Sequence, residues 1–184
     1  MIEFIEDSHT YLYNGVIVPS VSEIMNPISV MHYENISKSR TDVAKVRGTA
    51  IHKATECIDK GEEYTIDDKW KNHVLQYKKF LALRKPEILE IEMIVTDGTY
   101  CGTLDRIYII NGETWMVDIK SSAVINEKLV KVQLAGYKKA QTKHKIDRYG
   151  VLHLTSNNFK LKEVVPNDKI FGMLLEIYKY GKGE

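Results

Sequence analysis

The stretch CGTLDRIYIINGETWMVDIKSSAVINEKLVKVQLAGY, residues 101–137, decides how the rest of the chain is read. Two apolar-rich runs, 103–110 and 113–120, flank Asn111-Gly112, the dipeptide that most favours a two-residue hairpin because both turn residues need positive φ. With that loop Ile110 pairs with Glu113, and counting outward along both strands sets Asp105 across from Asp118. Opposed side chains in such a pair have Cβ atoms about 4.5–5.5 Å apart, where like charges repel unless something neutralises them. Lys120, two residues past Asp118, shares its face. Two acids and a lysine that converge suit Mg2+ or Mn2+, which leave coordination positions for water and phosphate oxygens. The chemistry this predicts is metal-assisted phosphodiester hydrolysis. The plain alternative is a salt-bridge patch on a solvated sheet face.

Working upstream, 88–96 alternates as a strand, and a two-residue turn at Asp97-Gly98 would put Glu90 and Glu92 on the face of Asp105. Residues 67–84 read as an amphipathic helix, acidic at its start, basic at its end and stopped by Pro86. Residues 41–58 repeat apolar positions at helical spacing (Val43, Val46, Ala50, Ile51, Ala54, Ile58) and carry Arg47 and His52. A lone helical histidine is more often a packed or surface residue than a ligand. The first 18 residues hold a second hairpin signal at Asn14-Gly15, closed by Pro19, and residues 29–39 show no clear period. Ser20, Ser22 and Glu23 have the spacing of a capping box, with Ser20 as the cap. Exposed N–H groups at such a helix start also bind phosphate, which makes Ser20 and Ser22 candidates for DNA contact.

Downstream, 126–143 is helical, with Gln133 and Tyr137 four apart on one stripe. The stretch from Asn126 to Lys145 holds Lys128, Lys131, Lys138, Lys139, Lys143 and Lys145 against one acid, Glu127. It reads equally as a solvated face or as a phosphate-tracking one, so Lys131, Lys138 and Lys139 are candidate DNA contacts. A strand pair about Asn157-Asn158 and a helix over 169–180 complete the chain.

The 184 residues suffice for one domain with a substantial core, divided into an N-terminal hairpin (1–19), a catalytic core (41–137) and C-terminal strands and helix (138–184). Hydrophobic residues at 43% and charged residues at 28% exclude a disordered chain, and a net charge of +1 leaves nucleic-acid affinity to local patches. Cys57 and Cys101 form no CxxC, and no signal peptide or long apolar run is visible, which points to reducing cytoplasm and no membrane. Two cysteines cannot supply the four thiolates of an ordinary iron-sulfur cluster.

The ordered set RGTAIH, an acidic strand, GTLDR, VDIKSS and QLAGY resembles the PD-(D/E)xK nucleases, in particular their RecB-like and phage-type exonuclease branch. The resemblance covers roughly residues 18–137 and implies an α/β fold, a central mixed sheet flanked by helices. It implies His52, Asp105, Asp118 and the backbone carbonyl of Ile119 as metal ligands, Lys120 as catalytic lysine, and Gln133 and Tyr137 as residues lining the site. Arg47 becomes a phosphate contact and Glu92 an accessory acid on the first core strand, although Glu90 blurs that match. The implied activity is a divalent-metal-dependent DNA exonuclease of recombination, repair or end-processing. Its partners would be DNA and a single-strand annealing or recombination protein, in a phage-encoded setting within host cytoplasm. An endonuclease, or a catalytically silent nucleic-acid or partner-binding module on the same fold, are the alternatives.

Overall fold

The protein is described by a computed structural model covering residues 1–6, 8–34 and 36–183. Strands β1 (Ile2–Ile5), β2 (Thr10–Tyr13) and β3 (Val16–Val18) form a small antiparallel sheet. The β2–β3 turn is the expected one, with Asn14 and Gly15 at φ 53° and 78°. The expected hairpin is therefore part of a three-stranded meander, because the N-terminal residues add β1 to its free edge. Helices α1 (Val21–Ile24), α2 (Asn26–Tyr33), α3 (Lys38–Lys60) and α4 (Lys71–Arg84) follow, the last preceded by a 3-10 turn at Asp68–Trp70. The segment that lacked a clear period thus begins with α2, in which Pro27 occupies the first turn, where its missing N–H costs nothing.

The main sheet runs β4-β5-β6-β7-β8, formed by Glu87–Thr96, Cys101–Ile110, Glu113–Lys120, Arg148–Leu154 and Phe159–Glu163. All neighbours are antiparallel except β6 and β7, whose parallel pairing requires a crossover. Helix α5 (Glu127–Ala140) supplies it, and α6 (Asp168–Lys182) ends the chain. This crossover lays α5 over the end of β6 where Asp118 and Lys120 stand.

Apolar layers cover both faces. Val21, Ile24, Leu134 and Phe171 of the α1, α5 and α6 side pack with Leu104, Met116 and Val151. Ile51, Tyr77 and Phe80 of α3 and α4 pack with Tyr108, Ile119 and Leu152. The small sheet is tied to β5, where Cys101 N donates to Pro19 O at 2.9 Å and Tyr11 bonds Thr103 through their hydroxyls at 2.8 Å.

Two expectations change. Val43 and Val46 are each 60% exposed, since α3 is buried only in its second half, at Ile51, Ala54, Thr55 and Cys57. The β4–β5 loop has four residues, with Thr96 paired to Cys101, so the register moves by two from a two-residue turn and keeps its parity. Asn111 (φ 52°) and Gly112 (φ 82°) make the β5–β6 turn as the sequence requires, pairing Ile110 with Glu113.

Candidate active site

The β5–β6 ladder pairs residues as expected up to Arg106 with Val117, then opens. At the next rung the Asp105 carboxylate does not lie flat against Asp118; its Oδ2 accepts the Ile119 N–H at 2.5 Å. Asp105 thereby caps the free edge of β6 and turns its other oxygen toward α3. There His52 Nδ1 lies 3.6 Å from Asp105 Oδ1, and His52 Nε2 lies 2.9 Å from the carbonyl oxygen of Ile119.

Glu92 joins this group. One ligand atom from each of His52, Glu92 and Asp105 lies within 4.8 Å of the other two. Glu92 has φ 48°, the left-handed region, in mid-strand, a conformation that costs a non-glycine residue about 1–3 kcal/mol and needs surrounding structure to hold it. The ladder is irregular here, with a register shift between Ile88 and Glu90. Glu90 goes elsewhere, bonding Lys143 at 2.5 Å and His144 at 2.6 Å. The two acids are thus separated by the backbone, and Glu92 is the one beside Asp105.

Asp118 is 1% exposed and stands toward α5. Lys120 Nζ lies 2.9 Å from its carboxylate, yet Oδ2 remains a buried oxygen without a well-aligned hydrogen bond. Lys120 also donates to Gln133 Oε1 at 3.1 Å, and Gln133 Nε2 donates to the Tyr137 hydroxyl at 3.0 Å. A continuous polar line therefore runs from Asp118 along α5. Tyr137 comes close to β5 because residue 102 is glycine: a Cβ there would stand 2.7 Å from the tyrosine ring. Gly136 serves α5 in the same way, since a Cβ there would meet Phe171 at 2.7 Å.

The electrostatics fit a cation. Burial, then the Asp105 charge, pushes the Glu92 carboxyl up to about 7. Burial raises Asp118 to about 6, with Lys120 pulling the other way. Burial would lower Lys120, but the Asp118 and Asp105 charges outweigh it and hold the ammonium above its ordinary value. Tyr137, buried beside the same two acids, stays a neutral phenol. His52, Glu92 and Asp105 form the converging ligand group, with the orphan oxygen of Asp118 and the Ile119 carbonyl beside it, an oxygen-rich donor set of the kind that suits a hard divalent cation.

The remaining candidates divide by position. Ser22 lines a cleft of about 180 Å³ together with Lys120, Gln133 and, from α2, Ser29 and Tyr33. Ser20 is instead engaged as the α1 cap, its Oγ accepting Glu23 N–H at 3.0 Å while the Glu23 carboxylate accepts Ser20 N–H at 2.6 Å. Arg47 has a buried Nε with no hydrogen-bond partner among the described residues. Burial and the nearby Arg47 charge push the His73 imidazole down, with His153 adding to the effect. His153 neighbours Lys120 in the parallel ladder, and its Nε2 lies 2.7 Å from the Ser122 carbonyl oxygen.

Lys131, Lys138 and Lys139 are not gathered there. Lys131 and Lys138 lie two and five residues from Gln133, roughly 200° and 140° around the axis at 3.6 residues per turn. The single-acid inventory also fails in three dimensions, since acids outside α5 supply partners for Lys138 and Lys139. Lys131 pairs with Glu127 at 3.0 Å, Lys138 with Asp168 at 2.5 Å and Lys139 with Asp97 at 3.5 Å.

Sequence reasoning passed over Arg106 and Asp59, which are joined in the core at 2.6 Å. The arginine follows Asp105 directly, and its place just before the apolar run Ile107–Ile110 was the available signal.

No family model matches the chain, and no curated protein does. Among solved structures it is similar in outline to SSO0001, at 15% identity over 56% of this chain and 54% of that one, with a TM-score of 0.36. It is also similar to an alkaline exonuclease (LHK-Exo) from Laribacter hongkongensis, at 9% identity over 86% of this chain and 82% of that one, with a TM-score of 0.42. The chain spans about half the length of the first, 54%.

Proposed function

We propose that this protein is a divalent-metal-dependent deoxyribonuclease of PD-(D/E)xK type. The observation that carries the reading is the convergence of side chains from α3, β4, β5, β6 and α5 (His52, Glu92, Asp105, Asp118, Lys120 and Gln133) at the open end of β6. His52, Glu92, Asp105 and Asp118, with the Ile119 carbonyl, would hold Mg2+ or Mn2+. When bound, such an ion supplies a water of lowered pKa and positive charge for a phosphodiester oxygen.

The chain's own residues do the rest. Lys120 is kept cationic by Asp118 and stands between the acids and the cleft, where it orients the attacking water or stabilises the charge that develops on the phosphate. Gln133 fixes the ammonium from the other side, and Tyr137 fixes Gln133, so Lys120 is held in one place before substrate arrives. Ser22, which shares the cleft with Lys120, and Arg47, whose buried Nε has no partner among the described residues, would make phosphate contacts.

The finer reading is an exonuclease of recombination, repair or end-processing, of phage type, with DNA as partner and a single-strand annealing or recombination protein beside it. It is supported by the motif order of the sequence. The test is incubation of end-labelled linear single and double strands, and of covalently closed circles, with Mg2+, Mn2+ or EDTA. Release of labelled nucleotides from linear DNA alone, with no reaction in EDTA, is the expected result. Cutting of closed circles would make it an endonuclease, and inertness on every substrate a binding module.

A further inference from the structure

We infer that Arg106 is the positioning residue of the candidate metal centre, one guanidinium that fixes the elements carrying His52, Glu92 and Asp105 in a single arrangement; the inference rests on the metal-nuclease reading above. Arg106 has no exposed side-chain surface. Its Nη1 donates to Glu92 Oε1 and to the backbone carbonyl of Asp105, both at 2.7 Å. Its Nε donates to Asp59 Oδ2 at 2.6 Å, and its Nη2 lies 3.4 Å from Thr55 Oγ1. Thr55 and Asp59 are three and seven residues beyond His52 on α3, close to its face of the helix. A planar fork of five donors is the one side chain that bonds in so many fixed directions at once.

The network is a poor choice if stability were its purpose. Buried ion pairs are often matched or bettered by apolar residues of the same volume. Here Asp59 also keeps one oxygen, Oδ1, without a partner among the described residues, and recruits the Tyr77 hydroxyl at 2.5 Å, which in turn meets Tyr108 at 2.7 Å. What the arrangement does accomplish is specific. Arg106 holds Glu92 in a backbone conformation that β-strands do not otherwise adopt, with its carboxylate toward His52 and Asp105. Asp59 neutralises Arg106, so that the guanidinium orients Glu92 without cancelling the negative charge of the ligand set. Groups that orient metal ligands in this way are typically worth about 10–100-fold in metal affinity.

The experiment measures Mn2+ affinity by electron paramagnetic resonance and calorimetry for wild type, Arg106→Lys, Asp59→Asn and Tyr77→Phe, with circular-dichroism melts to establish which variants fold. Folded Arg106→Lys or Asp59→Asn should bind Mn2+ about 10–100-fold more weakly, and raised Mn2+ should restore their DNA cleavage. Tyr77→Phe, the mildest change and the one that keeps both charges, should weaken binding less and serves if the other two do not fold. Folded variants that bind Mn2+ as wild type does would overturn the inference and leave a purely structural ion pair. A wild-type protein that takes up no Mn2+ would instead overturn the reading beneath it.

Discussion

At the scale of single residues, the site is a set of charges that oppose one another. Glu92 and Asp118 have folded pKa values raised above their ordinary 4.5 and 3.8, to about 7 and about 6. Between those limits the folded chain binds more protons than the unfolded one, so each acid makes stability fall as pH rises. His73, lowered by burial, works in the opposite sense below its ordinary 6.5. The acid contribution is therefore read by difference. In EDTA, the melting temperature of wild type relative to Asp118→Asn should fall as pH rises from 4 to 6, and added Mg2+ should reverse the trend. An unchanged difference across that range would mean that Asp118 is not under strain. For Lys120→Ala we expect loss of the chemical step with DNA affinity kept, because one charge among many phosphate contacts changes binding modestly. Single-turnover cleavage in Mg2+ beside binding in Ca2+ checks it, and a parallel loss of both would assign Lys120 to binding.

At the scale of elements, α5 is positioned by what is missing from its neighbours. Gly102 and Gly136 let it approach β5 and α6 more closely than any side chain would allow, and Tyr137 is within van der Waals reach of β5 for that reason. Gly102→Ala should displace the Tyr137 ring, loosen Gln133 and lower the cleavage rate while leaving Mn2+ affinity near wild type, since no metal ligand lies on α5. Equal loss of metal affinity would show that α5 also holds the acids in place. The lysines of α5 give a second test. Their ion pairs with Glu127, Asp168 and Asp97 are surface pairs that solvent screens, and two of the three lysines point away from Gln133. Replacing Lys131, Lys138 and Lys139 by alanine should leave the salt dependence of DNA binding nearly unchanged. Arg47→Ala should flatten it by roughly 0.7–0.9 log units, the value for one phosphate contact. The opposite ranking would route DNA over the far side of α5.

At the scale of the whole molecule, what was legible in the sequence is what short-range rules govern. Asn111-Gly112 set the β5–β6 register, and Ser20 with Glu23 set the start of α1. The period of two placed Lys120 beside Asp118, and the helical period placed Gln133 beside Tyr137. The family resemblance pointed to Glu92, but residue spacing alone did not separate it from Glu90, because that choice depends on a four-residue loop, a bulge and a positive φ in mid-strand. Nor was the Arg106–Asp59 pair, whose members are 47 residues apart on different elements, or the acids that meet the α5 lysines from other parts of the chain. Long-range packing decides these, and residue spacing carries no trace of it.

The central claim is that the acids at the open end of β6 hold a metal that hydrolyses DNA, and one measurement meets it most directly. Cleavage of an end-labelled single strand is followed as Mg2+ is titrated into wild type and into Asp105→Asn, with EDTA as the starting point. Wild type should be inert in EDTA and rise to a saturating rate with Mg2+, while Asp105→Asn stays inert throughout. Degradation by wild type in EDTA, or an Asp105→Asn protein that cleaves as wild type does, would contradict the account.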